Sequence, residues 1–208
     1  MPQRPFSADV RVNASFWLLM LLAVIVSPLT VVAAVRIAAA LHELGHLAAM
    51  RYYGVSVKHF RLTALGAELD APALARLSYG RELIITLAGV TVNLFCAILL
   101  ALLGLRTWRE WCFVFAGAHL VLAAFNLLPV VPLDGARALC LALSFFLGPA
   151  TGERITAAVS LACSLALCAL GLKLSLGLHS GWLFAFAAFG LLWGTLRQLG
   201  LARGAKSV

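Results

Sequence analysis

Between Leu83 and Leu103 the chain carries no charged residue. Wound as a helix, an apolar run of about 20 residues matches the hydrocarbon thickness of a bilayer. Similar runs recur along the sequence, and 63% of the 208 residues are hydrophobic while only 12% are charged. Soluble domains do not have that balance. The sequence therefore predicts an integral membrane protein, all-α and polytopic, with about six transmembrane helices. The expected spans are Phe16–Val26, a second from Pro28 or Leu29 to the Tyr53-Gly54 stop, and a third from Tyr79 or Glu82 to Leu103. The last three are Cys112–Leu128, Arg154–Leu174 and Gly181–Leu199. An apolar helix from Arg137 to Leu147 is a continuation or a half-span, and the Gly148–Gly152 turn is expected to break it. The polar start followed by an apolar stretch mimics a signal peptide, but no small-residue cleavage site follows, so the first run reads as a retained span.

Within the second run stands Leu41-His42-Glu43-Leu44-Gly45-His46-Leu47. Positions i and i+4 share one helix face, so His42 and His46 can hold one cation while Glu43 sits beside it. Two neutral imidazoles and a free carboxylate are the equipment of a zinc hydrolase helix, with Glu43 as general base. In a soluble surface helix the pattern would be weak evidence. In an apolar run it is stronger, because His and Glu are costly in hydrocarbon unless they pair, bind an ion or line a wet cavity. Arg36 reads as a snorkelling or internally paired cation.

From Gly54 to Pro72 the residues alternate and favour strand, which predicts a small membrane-associated β-hairpin between the second and third spans. Its edge could hold an extended peptide, although a plain connecting loop fits equally. In the third span, Ala88-Gly89-Val90-Thr91-Val92-Asn93 combines small residues that allow close helix approach with an asparagine that needs partners. The fourth ends in Asn126-Leu127-Leu128-Pro129-Val130-Val131-Pro132-Leu133-Asp134-Gly135. Two prolines disrupt regular helix there, and Asp134 is the acidic group placed to serve as a third ligand. His119 reads as core packing in preference to facing the same cavity.

The net charge of +8 does not indicate nucleic acid, because the basic residues sit near the ends of apolar runs without an aromatic-interleaved patch. With a cytoplasmic N-terminus, Arg106, Arg109 and Lys173 lie outside, Arg36 lies within a span, and the other twelve of the sixteen Lys and Arg lie inside. That bias predicts both termini in the cytoplasm and the site toward the cytoplasmic leaflet. The five cysteines have no C-x-x-C spacing and read as small hydrophobes.

H-E-L-G-H at 42–46, A-G-x-x-x-N at 88–93 and N-L-L-P-V-V-P-L-D-G at 126–135 resemble the three signature segments of the site-2 protease family of intramembrane zinc metalloproteases. The sporulation-type branch, the stage IV sporulation protein FB group, is the most similar. The resemblance spans the second to fourth runs. It implies one Zn2+ on His42, His46 and Asp134, Glu43 as the catalytic base, and Asn93 and Asn126 near the substrate or the developing oxyanion. Val90 departs from the proline many members have there. A second departure is the lack of the PDZ or CBS domains that many relatives carry: the length leaves room for about six spans and short loops, so a single transmembrane protease domain is expected over 1–208, with core motifs within 29–147. The resemblance also implies a bacterial cytoplasmic membrane. Its substrates would be membrane-anchored regulatory proteins cleaved within or near their transmembrane segment, and a regulatory membrane partner or homo-oligomer would fit. A catalytically silent relative that binds membrane proteins, and a zinc or cation transporter, are the alternative readings.

Overall fold

Helix α1, Leu29–Tyr52, starts where Pro28 fixes an extended entry; its carbonyl accepts the N–H groups of Val31 and Val32 at 2.9 and 3.1 Å. The helix ends at a glycine for a specific reason. Gly54 adopts φ +70, its N–H donates to the Arg51 carbonyl, and the Val55 N–H reaches back to the Met50 carbonyl at 2.8 Å. This is a Schellman closure, and its hydrophobic seal is present, because Met50 and Val55 are buried together with Leu74 and Ile85. The structure, a computed structural model, describes residues 9–12, 27–56, 59–63, 66–70, 73–74, 77–178 and 182–204. The expected first span, Phe16–Val26, lies outside the described residues.

Five further helices follow among the described residues: α2 Tyr79–Thr107, α3 Glu110–Asn126, α4 Asp134–Leu147, α5 Pro149–Leu178 and α6 Trp182–Gly204. Among the described residues, three helices are long and apolar enough to cross a membrane: α1, α2 and α5 through Leu176. Helix α3 is apolar but only 17 residues long, and α4 has 14. Six spans were expected; among the described residues three helices have spanning length. The exposed faces are consistent with lipid contact: Phe95, Ile98, Leu99 and Leu102 of α2 are each more than half exposed.

The chain divides into two compact units, Met1–Phe125 and Asn126–Val208. In the first, α1 packs on α2. The buried residues of α1 include Ala34, Ala38, His42, His46 and Met50, spaced at four, with Gly45 beside them. Gly45 is a contact point: a Cβ there would lie 2.9 Å from the Ala88 carbonyl oxygen and 3.0 Å from Val92 Cγ2. Helix α2 reverses into α3 through Trp108-Arg109 alone. Trp108 takes the left-handed φ of 52 and donates its N–H to the Gly104 carbonyl at 2.8 Å. At Gly104 a Cβ would come within 3.0 to 3.1 Å of Phe113 and Cys112.

Where the sequence alternates, β2 (His59–Thr63) and β3 (Gly66–Asp70) pair antiparallel, from His59 opposite Asp70 to Thr63 opposite Gly66. A further strand, β1 (Asp9–Val12), runs parallel to β2 on its other edge. The sequence carried no sign of β1, because four residues of mixed polarity make no period.

In the second unit α5 packs against both α4 and α6. Its buried positions Thr156, Ser160 and Ser164 form a stripe at spacing four whose small side chains allow close helix approach. The predicted break at 148–152 reduces to Gly148, at φ +84, since helix resumes at Pro149. Proline at a first helical position forfeits no intrahelical bond. Gly152 then takes the tight corner, where a Cβ would strike Ser144 Oγ and approach its backbone nitrogen at 2.7 Å. All five cysteines are free, and Cys112 alone of them is fully buried.

Candidate metal centre

Helix periodicity builds most of the centre. On α1, His42 and His46 stand one turn apart, both buried. On α2, Ile85, Gly89 and Asn93 repeat at spacing four along the buried face that meets them. Each makes a different provision for the imidazoles. The Ile85 carbonyl accepts a hydrogen bond from His46 Nδ1 at 2.8 Å, which fixes that tautomer and leaves Nε2 with its lone pair. Gly89 supplies space: a Cβ would lie 2.5 Å from His46 Nε2, 2.8 Å from His42 Cε1 and 2.9 Å from His42 Nδ1. Asn93, fully buried, places its Nδ2 3.3 Å from His42 Nδ1.

The two Nε2 atoms face each other at 3.2 Å. Two nitrogen ligands at the usual zinc–nitrogen distance of about 2.0–2.1 Å and a tetrahedral angle would be separated by about 3.3 Å. The imidazole pair therefore fits a tetrahedral ion with little movement. Its rings meet edge-on, with planes at 82°.

Behind Asn93 stands His119 of α3, buried, whose Nδ1 donates to Asn93 Oδ1 at 3.0 Å. Both ends of the Asn93 carboxamide thus lie against imidazoles. His119, read from the sequence as core packing, is buried but also tied through one residue to a candidate ligand. Four-residue spacing from Gly89 to Asn93 was visible, but nothing in the sequence pairs position 93 with position 119. Arg36 is exposed on α1, away from this face.

In the second unit Asp134 is half-buried and occupies the first turn of α4, not irregular backbone as the prolines suggested. A carboxylate is favourable at a helix N-terminus. The irregular stretch is 127–133, with a cis peptide between Val131 and Pro132. It is held by side chains from far along the chain: Ser160 Oγ of α5 accepts the Val131 N–H at 2.8 Å, and Thr195 Oγ1 of α6 bridges to the Val131 carbonyl at 3.2 Å. The two hydroxyls lie 3.4 Å apart. Gly135 is required where the chain crosses itself, because a Cβ would overlap the Leu127 carbonyl and come within 2.6 Å of the Leu128 oxygen. Asn126, the last residue of α3, is half-buried, as is Glu43 on α1.

His42, His46 and Asp134 form a group that could hold a metal ion, with ligand atoms all within 4.8 Å of one another. Helices of membrane-spanning length, a buried imidazole pair and a carboxylate define the class: a helical membrane protein with a candidate metal centre. The fold is that of the site-2 protease from Methanocaldococcus jannaschii, with a TM-score of 0.69 over 90% of this chain and 89% of that one, at 22% sequence identity. No protein-family model matches the chain, and no curated protein matches it.

Proposed function

We propose that this protein is an intramembrane zinc metalloendopeptidase of the site-2 protease type, with motifs closest to the sporulation-type branch. One observation carries the reading: the two Nε2 atoms converge at the separation of a tetrahedral ligand pair, with Asp134 in the same ligand group. The shared fold supports it.

His42, His46 and Asp134 would hold the ion, leaving a fourth position for the reaction. Zinc held there supplies Lewis acidity toward a water molecule and the scissile carbonyl. Glu43 takes the proton from the attacking water at its carboxylate and returns it to the leaving amine. The Asn126 amide, at the end of α3, would donate to the developing oxyanion. Asn93, whose Nδ2 lies 3.3 Å from His42 Nδ1, would act through that ring. Water must reach Glu43 for the reaction to run. A helical substrate hides its carbonyls in its own hydrogen bonds, so the peptide must be locally unwound before cleavage.

Substrates on this reading are membrane-anchored regulatory proteins, cut within or near their membrane segment. The charge bias along the chain supports cytoplasmic termini and a site near the inner leaflet of a bacterial cytoplasmic membrane. A transporter would need successive weak sites along a path. Among the described residues, no second group of three His, Cys, Asp or Glu is arranged to take an ion.

The test is zinc analysis of purified protein together with cleavage of a membrane-anchored peptide, wild type against Glu43→Gln. Zinc retained by both and cleavage lost in the variant is the expected result. Cleavage that survives Glu43→Gln overturns the mechanism, and metal flux into vesicles without peptidase activity would favour the transporter.

A further inference from the structure

The hydrogen bonds around the imidazoles run in one direction. His119 Nδ1–H donates to Asn93 Oδ1, Asn93 Nδ2–H to His42 Nδ1, His42 Nε2–H to His46 Nε2, and His46 Nδ1–H to the Ile85 carbonyl. In this chain His42 accepts at Nδ1, so its proton is on Nε2, the atom that a metal needs bare. His46 is already in the metal-binding tautomer and His42 is not.

Turning the Asn93 carboxamide by half a revolution about its terminal bond exchanges its oxygen and nitrogen at nearly the same positions. Asn93 Oδ1 then faces His42 Nδ1 and accepts a proton there, which frees His42 Nε2. Asn93 Nδ2–H now faces His119 Nδ1, and that nitrogen must become an acceptor. The His42 proton passes from Nε2 to Nδ1 and the His119 proton from Nδ1 to Nε2, so each ring keeps one proton and none is gained or lost. All three residues are buried, His119 at 1% and Asn93 at 0% exposure, so water is a poor substitute for either partner.

We infer that Asn93 is a two-position selector of the His42 tautomer, and that His119 is the positioning residue that holds it in the metal-accepting position. The inference rests on the metal reading given above. It makes His119, which contacts neither ligand nor substrate, a determinant of zinc affinity.

Zinc affinity by chelator competition on the purified full chain in detergent tests it. His119→Leu removes the acceptor for the turned amide and should weaken zinc binding by roughly 10–100-fold, the usual effect of losing a partner behind a ligand. Asn93→Asp presents an oxygen to His42 in either orientation, so the double variant His119→Leu/Asn93→Asp should return to the wild-type range. Wild-type affinity in His119→Leu, or a double variant as weak as His119→Leu, overturns the selector. If His119→Leu does not fold, nitrogen NMR of the histidine rings in wild type decides: zinc should move the His119 proton from Nδ1 to Nε2, and an unchanged His119 tautomer overturns the inference. A wild type that takes up no zinc overturns the metal reading and the selector together, whereas zinc binding indifferent to positions 93 and 119 overturns the selector alone.

Discussion

The α1–α2 pair and the 127–135 segment each hold candidate ligand residues, and they are built by opposite means. In the pair, geometry comes from regular helix: imidazoles at 42 and 46 meet a face repeating at 85, 89 and 93, and the partners are one or two turns apart on each element. In the segment, regular helix is absent up to Asp134, and the backbone at Val131 is pinned from both sides by hydroxyls 29 and 64 residues away. A periodic face tolerates small changes outside its contact stripe. An irregular segment depends on each hydrogen bond that replaces the helix it lacks, because its buried backbone groups have no alternative partner.

The sharpest way to break the comparison is at its two crowded glycines. Gly135→Ala drives a methyl into the Leu127 and Leu128 carbonyls, backbone atoms that cannot swing aside, and should cost about 3 kcal/mol or more. Thermal unfolding in detergent measures it, and a variant as stable as wild type would show the segment to be soft. Gly89→Ala instead meets imidazole rings, which can turn at the expense of their aim. Its signature should be a roughly 10–100-fold loss of zinc affinity with a smaller loss of stability, read by chelator competition alongside unfolding.

Smaller effects separate the two regions further. Ser160→Ala leaves the Val131 N–H without its acceptor and should cost about 1–3 kcal/mol, while Thr195→Val, which removes a longer bond at 3.2 Å, should cost about 1 kcal/mol. Unfolding midpoints in the same detergent give both, and equal values would mean that the two hydroxyls act as one unit. The smallest expected change is at Thr91 on the exposed side of α2, whose hydroxyl only returns to the Leu87 carbonyl within its own helix at 2.9 Å. Thr91→Ala should stay within about 0.5 kcal/mol of wild type.

These contrasts track what could be read beforehand. The spacing of His42 and His46, the apolar runs of α1, α2 and α5, and the alternation over β2 and β3 are local periodicities, and local periods survive in a sequence. Asp134 was legible as a lone carboxylate, yet its place in the first turn of α4 was not, since two prolines before it suggested irregular backbone throughout. Asn93 was legible as a polar residue needing partners. Which partners it took, and that one was His119, depended on where α3 lies against α2.

The sequence alone determined that this chain belongs in a membrane and that two imidazoles share one helix face beside a carboxylate, because lipid length and helical pitch act on neighbouring residues. Tertiary structure alone decided that Gly89 makes room for those rings, that the Asn93 amide is spent on His42 and His119, and that Ser160 and Thr195 hold Val131. Such contacts join positions tens of residues apart, and a hydrogen bond across helices leaves no periodic trace in either of the stretches it connects.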